Sequence, residues 1–143
     1  MKIVLFLCTG NYYRSRFAEI YFNFLAGKNN LAWRADSRGL AFVAGQNFGN
    51  ISPFALTQLG KLGVELTAPH RASLQVTATD LAEADLIVAM YDDEHRPLVK
   101  KSFPEWLDRI EFWRVPDVDL TLPAIALPAI QKQVENLIER LQI

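Results

Sequence analysis

Ile3-Val4-Leu5-Phe6-Leu7-Cys8-Thr9-Gly10-Asn11-Tyr12-Tyr13-Arg14-Ser15 is the stretch on which the fold turns. Its first five residues are an unbroken, partly β-branched apolar run, the pattern of a strand buried on both faces of a parallel sheet and so placed in the sheet's middle. From Arg14 to Leu25 the spacing predicts a helix, with Phe17, Ala18, Tyr21, Phe22 and Leu25 on its apolar face and Gly27 as its stop. Strand, short loop and helix are therefore adjacent. The loop's N–H groups can converge on one point while the helix adds the positive end of its dipole, and that geometry binds an anion.

Working outward, Ala32 to Ser37 reads as a second strand that ends before Gly39, and Ser52-Pro53 opens a helix through Leu59 with Gly60 and Gly63 as breakers. Thr79 is placed to cap a short helix over Asp80 to Ala84. Leu86-Ile87-Val88-Ala89-Met90 repeats the buried-strand pattern, Asp92 to Lys100 predicts a helix kinked or ended near Pro97, and Ile110 to Trp113 is a fourth strand. A proline-punctuated stretch from Val115 to Pro128 precedes a closing amphipathic helix, Ala129 to Leu141, with Ile130, Val134, Leu137, Ile138 and Leu141 on one face. Strands alternating with helices argue an α/β fold, a three-layer sandwich around a mostly parallel sheet, with ligands at the carboxyl ends of the strands. Cys8, Ser37, Tyr91 and Pro116 through Asp119 all lie just past predicted strands.

A chain of 143 residues fits one domain, expected over residues 1–143, and can bury enough surface to need no staple. Its single cysteine cannot form an internal disulfide. Fifteen basic and sixteen acidic residues leave a net charge of −1, without the excess that capture of nucleic acid or an anionic membrane needs. The opening apolar run is too short for a signal or spanning segment, so the expected location is cytoplasmic. The two histidines and sixteen acids show no metal-ligand spacing, and no cofactor motif is present. His95, within the run Asp92-Asp93-Glu94-His95-Arg96, reads as part of a solvated helix face.

The spacing inside the loop suggests which anion. Five residues between Cys8 and Arg14 suffice to wrap a tetrahedral oxyanion, with sulfur beneath the central atom and a guanidinium fork beside two of its oxygens. Gly10 and Asn11 suit positive φ angles. A thiol beside an arginine at a helix N-terminus ionises more readily, which favours a thiolate nucleophile, and Ser15 can donate a hydrogen bond to it. By composition alone an arginine six positions after a cysteine occurs roughly once in twenty, and a serine or threonine after that roughly once in eight. The joint pattern, between a strand and a helix, is therefore informative where a lone cysteine would be a small buried hydrophobe.

Cys8, Asn11, Arg14 and Ser15 match the form C-x-x-N-x-x-R-S, and in this the sequence resembles the low-molecular-weight protein tyrosine phosphatases. Asp36-Ser37-Arg38-Gly39 resembles the family's Ser-Ala-Gly segment, Ala68-Pro69-His70-Arg71-Ala72-Ser73 its His-Arg-Ser segment, and Ala84 to Met90 its Ala-Asp-x-Ile-x-x-Met strand. The resemblance implies a four-stranded parallel sheet with the phosphate loop between strand 1 and helix 1. It also implies metal-free phosphomonoester hydrolysis through a phosphocysteine, with Cys8 as nucleophile and Arg14 as phosphate clamp. Thr9, Gly10, Asn11, Tyr12, Tyr13 and Ser15 would line the substrate, while Asn11, Ser15, Ser37 and His70 would form the hydrogen-bond network that holds the loop. The general acid would be Asp117, although Val118 stands where the family has proline and Asp119 competes. Two further departures are Tyr13, where relatives commonly carry a second cysteine, and the absence of the aromatic pair after the acid. Stacking on a substrate ring then falls to Tyr12, Phe42 or Phe48, with Tyr12 best placed. The implied substrate is a phosphorylated protein or a small phosphoester, and phosphotyrosine, phosphoarginine and small phosphoesters all stay open. So do two other readings, a non-catalytic phosphate- or phosphopeptide-binding module and an arsenate reductase using an external thiol. The sequence is silent on oligomeric state.

Overall fold

The computed structural model describes residues 1–67 and 69–142. Ala68, part of the expected His-Arg-Ser segment, lies outside the described residues. Four strands, β1 (Lys2–Cys8), β2 (Trp33–Gly39), β3 (Leu86–Ala89) and β4 (Ile110–Phe112), form one parallel sheet in the order β2-β1-β3-β4. The apolar run from Ile3 to Leu7 is thus central, pairing Val4 with both Ala35 and Leu86. Its alternation divides two cores. Val4, Phe6 and Cys8 face α1 (Arg14–Lys28), α2 (Pro53–Lys61) and α5 (Pro123–Leu141), while Leu5 and Leu7 face α3 (Ala78–Glu83) and α4 (Asp92–Ser102). Helices cover both faces, giving the expected three layers, and the chain leaves β1 toward β2 on one side and reaches β3 on the other. The crevice beyond the carboxyl ends of β1 and β3 is the switch point where such sheets bind ligands.

Several boundaries differ from the sequence reading. Gly27 does not end α1, which runs to Lys28; Asn29 Nδ2 donates to the Leu25 carbonyl and Asn30, at φ 52°, makes the left-handed exit. Gly60 likewise lies inside α2. The cap of α3 is Thr77, not Thr79, because only Thr77 has Asp80 three positions on, and the two exchange side-chain-to-backbone hydrogen bonds at 2.9 and 3.2 Å. Pro97 interrupts neither α4 nor its course to Ser102, and α5 begins at Pro123 and passes through Pro128. Both prolines occupy the sixth position of their helices, where a ring removes one early hydrogen bond, and Ala126, Leu127 and Ile130 are fully buried around Pro128. A 3₁₀ segment, Pro104–Arg109, precedes β4. No helix among the described residues is long and apolar enough to cross a membrane.

Candidate active site

Beyond β1 the chain curls so that six consecutive carbonyls are each taken by a donor outside the loop. Cys8 O accepts from Leu40 N–H, Thr9 O from Ala41 N–H, Gly10 O from Asn47 Nδ2, Asn11 O from Ser73 Oγ, Tyr12 O from Ser52 N–H and Tyr13 O from Phe17 N–H. In a trans peptide the N–H of the next residue points opposite to the carbonyl, so the N–H groups of Thr9 through Arg14 are turned to the concave side. Cys8 stands at the base of this cradle, 3% exposed. Its Sγ lies 2.9 Å from Ser15 Oγ, which accepts from Asn11 Nδ2 at 3.0 Å and so keeps its own proton for the sulfur.

Asn11 holds the loop from within. It adopts φ 51°, its Nδ2 donates to Ser15 and Ser37, and its Oδ1 accepts from Arg71 Nη1 and Leu74 N–H, both at 3.0 Å. Ser37, in β2, donates its hydroxyl hydrogen bond to Glu19 Oε1. His70 is not part of this network: among the described residues its hydrogen bond is through the backbone carbonyl, to Asn50, and its expected place is taken by Arg71. The Arg71 fork reaches Asn11, Ser37, Glu19 and Asp36 together, a span that an imidazole one residue earlier cannot match.

The opposite wall comes from α4, where the sequence reading placed a solvated face. His95 is fully buried and Glu94 half-buried. Glu94 Oε1 and Oε2 accept from Arg14 Nη1 and Nη2 at 3.1 and 2.7 Å, a bidentate pair, and Oε2 also accepts a hydrogen bond from the Thr9 hydroxyl. His95 Nδ1 accepts from Tyr91 N–H at 2.9 Å, which puts the neutral ring's proton on Nε2, facing Glu94 and Thr9 at 3.1 Å each. Burial pushes the imidazole below its usual range. Burial alone would raise the Glu94 carboxyl, but hydrogen bonds from His95, Arg14 and Thr9 hold it far below the usual carboxylate range. Both residues sit in the first turn after β3, the one clue the sequence offered, and Glu94 meets Arg14 80 positions away while His95 meets Thr9 86 positions away.

Arg14 is 2% exposed; Nη1 also donates to the Val115 carbonyl, and Nε is buried with no hydrogen-bond partner among the described residues. Asp117 Oδ2 stands 3.6 Å from Nη2, and Oδ1 accepts from Val118 N–H at 2.7 Å. Cys8, Gly10, Tyr12, Tyr13, Arg14 and Asp117 line one cavity of about 270 Å³. Asp119 lines a neighbouring cavity instead, with Tyr91, Asp93 and Leu120. Of the aromatic candidates only Tyr12 faces the Cys8 cavity, its hydroxyl tied to the Phe48 carbonyl; Phe42 and Phe48 do not line it, and Phe54, which the sequence reading missed, does. Among the described residues no group of three or more His, Cys, Asp or Glu side chains could hold a metal ion.

Residues 3–119 match the family described as low molecular weight phosphotyrosine protein phosphatase. The chain is 34% identical over 104 residues to the low molecular weight phosphotyrosine protein phosphatase of Homo sapiens, covering 71% of this chain and 62% of the human protein, so it spans less than two thirds of that relative's length. It is 30% identical over 111 residues to an arsenate reductase of Bacillus cereus (strain G9842), covering 78% of this chain and 73% of the reductase. The crystal structure of a low molecular weight protein tyrosine phosphatase from T. tengcongensis superposes with a TM-score of 0.81 and 26% identity, covering 98% of this chain and 99% of that one.

Proposed function

Because the chain belongs to the low molecular weight phosphotyrosine protein phosphatase family, we propose that it works as one phosphatase domain that hydrolyses phosphomonoesters through a phosphocysteine, with phosphotyrosine proteins as the substrate class. The observation that carries this reading is the cradle, six outward carbonyls around a buried cysteine with Arg14 and Asp117 at the same cavity. In the first step the Cys8 thiolate attacks phosphorus in line, forming the P–S bond as the bond to the leaving oxygen breaks. The N–H groups of Thr9 through Arg14 and the unpartnered Arg14 Nε edge take the equatorial oxygens as negative charge spreads over them. Asp117, protonated, gives its proton to the leaving oxygen, a contribution of about a hundred- to ten-thousandfold in such reactions. In the second step the ionised carboxylate takes a proton from water, the water oxygen attacks phosphorus, and the P–S bond breaks to release phosphate and a thiolate steadied by Ser15 O–H. Asp117 is favoured over Asp119 because it alone of the two shares the cavity with Cys8. Tyr12, Phe54 and Val118 give that cavity apolar walls, which suit an aryl ring.

Hydrolysis of para-nitrophenyl phosphate in the presence of a chelator tests the reading. Chelator-resistant activity is expected, abolished in Cys8→Ser with inorganic phosphate still bound, and reduced at least about a hundredfold in Asp117→Asn. A Cys8→Ser variant that kept turnover would overturn it. A protein that binds phosphate but never forms the covalent intermediate is a binding module. Arsenate consumption with glutathione would mark a reductase, whose electrons must come from that external thiol because Cys8 is the sequence's single cysteine.

A further inference from the structure

The two-step reaction leaves the Tyr13 hydroxyl without a role. Tyr13 is 6% exposed, and its phenol oxygen is buried with no hydrogen-bond partner among the described residues. An unpaired buried hydroxyl costs about 1–3 kcal/mol, so one beside a reaction site calls for an explanation, and a partner acquired during the reaction is one. Two other buried donors lack a hydrogen bond in the same sense: Arg14 Nε, assigned above to the phosphoryl group, and Arg16 Nε, which faces the Glu19 carboxylate at 3.4 Å and whose residue does not line the cavity. Tyr13 does line it, together with Cys8, Arg14 and Asp117.

Asp117 has one oxygen settled and one not. Oδ1 accepts from Val118 N–H, a bond that proline at 118 could not provide, whereas among the described residues Oδ2 has only the loose 3.6 Å approach to Arg14 Nη2. An arriving phosphate dianion occupies the free edge of Arg14 and repels negative charge on Asp117, which favours the protonated carboxyl that the first step needs and draws it away from Arg14. Of the residues that line the cavity with Asp117, Tyr13 is then the one whose buried O–H has no hydrogen-bond partner among the described residues. We propose that Tyr13 is a positioning residue for Asp117: once phosphate holds Arg14, the Tyr13 hydroxyl donates to Asp117 Oδ2. This keeps the carboxyl beside the leaving oxygen in the first step and beside the attacking water in the second. Tyr13 retains its own proton throughout; burial and then the Asp117 carboxylate push its phenol up to about 12, so it is a neutral donor at working pH.

The inference rests on Asp117 as the general acid, and Tyr13→Phe tests it with the ring's packing kept. Melting should be unchanged or raised, since only an unpaired hydroxyl is lost. For phenyl phosphate, whose leaving oxygen needs a proton, kcat/KM should fall about tenfold, and for para-nitrophenyl phosphate by much less. Inhibition by inorganic phosphate should be unchanged, and Tyr13→Phe should cost nothing further in an Asp117→Asn background. Equal losses on the two substrates, weaker phosphate inhibition, or a full additional loss on top of Asp117→Asn would each overturn the role. Failure of the underlying reading shows separately, in an Asp117→Asn single variant as active as the unmodified protein.

Discussion

Asn11 shows how a single side chain can hold an anion site ready. Both amide hydrogens and both lone-pair directions of its carbonyl oxygen are used, at a positive φ that few residues other than glycine and asparagine adopt. Glu94 does the corresponding work for Arg14, gripping both terminal nitrogens and leaving Nε the guanidinium nitrogen with no hydrogen-bond partner among the described residues. Glu94→Gln keeps the shape but leaves the guanidinium without its counter-charge. The expected result is a loss of about 2–3 kcal/mol in denaturant melts, below the range for a fully buried pair because Glu94 is 26% exposed, with kcat/KM down about ten- to a hundredfold as Arg14 loses its orientation. Wild-type kinetics in this variant would mean that the Val115 carbonyl suffices to orient Arg14. Cys8, Arg14 and Ser15 were readable from the sequence because they fall within eight consecutive positions. Glu94 and His95 were not, because a charged run reads as solvated until β3 sets it beside β1.

At the scale of elements, the loop depends on how closely β2 approaches it. A Cβ on Gly39 would lie 2.6 Å from the Thr9 carbonyl oxygen and 3.2 Å from the Asn11 nitrogen, both backbone atoms that cannot step aside. Gly39→Ala should therefore displace the cradle itself, costing about 1–3 kcal/mol of stability and weakening inhibition by inorganic phosphate severalfold. If isothermal titration gave an unchanged phosphate affinity, the contact would be relieved elsewhere. Helix ends were the least legible elements. Thr77 outcompetes Thr79 through a partner three residues on, and α5 starts before Pro128 because the buried face of Ala126, Leu127 and Ile130 outweighs one lost hydrogen bond.

Across the whole molecule, the wall contributed by α4 links the site to global stability. The folded His95 is held below its ordinary value of 6.5, so as pH falls through that value the unfolded chain takes up a proton that the folded chain refuses. Folded Glu94 is depressed in the same sense, and the stability it adds above its ordinary 4.5 is lost as pH falls below that point. Both effects act in one direction: melting temperature should fall in two stages on acidification, first below 6.5 and again below 4.5. His95→Gln should flatten the first stage, and Glu94→Gln the second. A melting temperature independent of pH between 7 and 5 would show that the imidazole is not held neutral in the fold.

The sequence by itself determined the alternation of strands and helices, the central place of Ile3 to Leu7, and the loop from Cys8 to Ser15, since each is written in neighbouring residues as a periodicity or a spacing. Its resemblance to a known family also singled out Ser37 and Asp117. Only the tertiary structure decided that Arg71 rather than His70 braces Asn11, that Glu94 and His95 form a wall of the site, and that Asp117 rather than Asp119 shares the Cys8 cavity. Those choices depend on which side chain spans a gap between segments far apart in sequence. Reach and direction across such a gap exist only once the parallel sheet has fixed the order β2-β1-β3-β4.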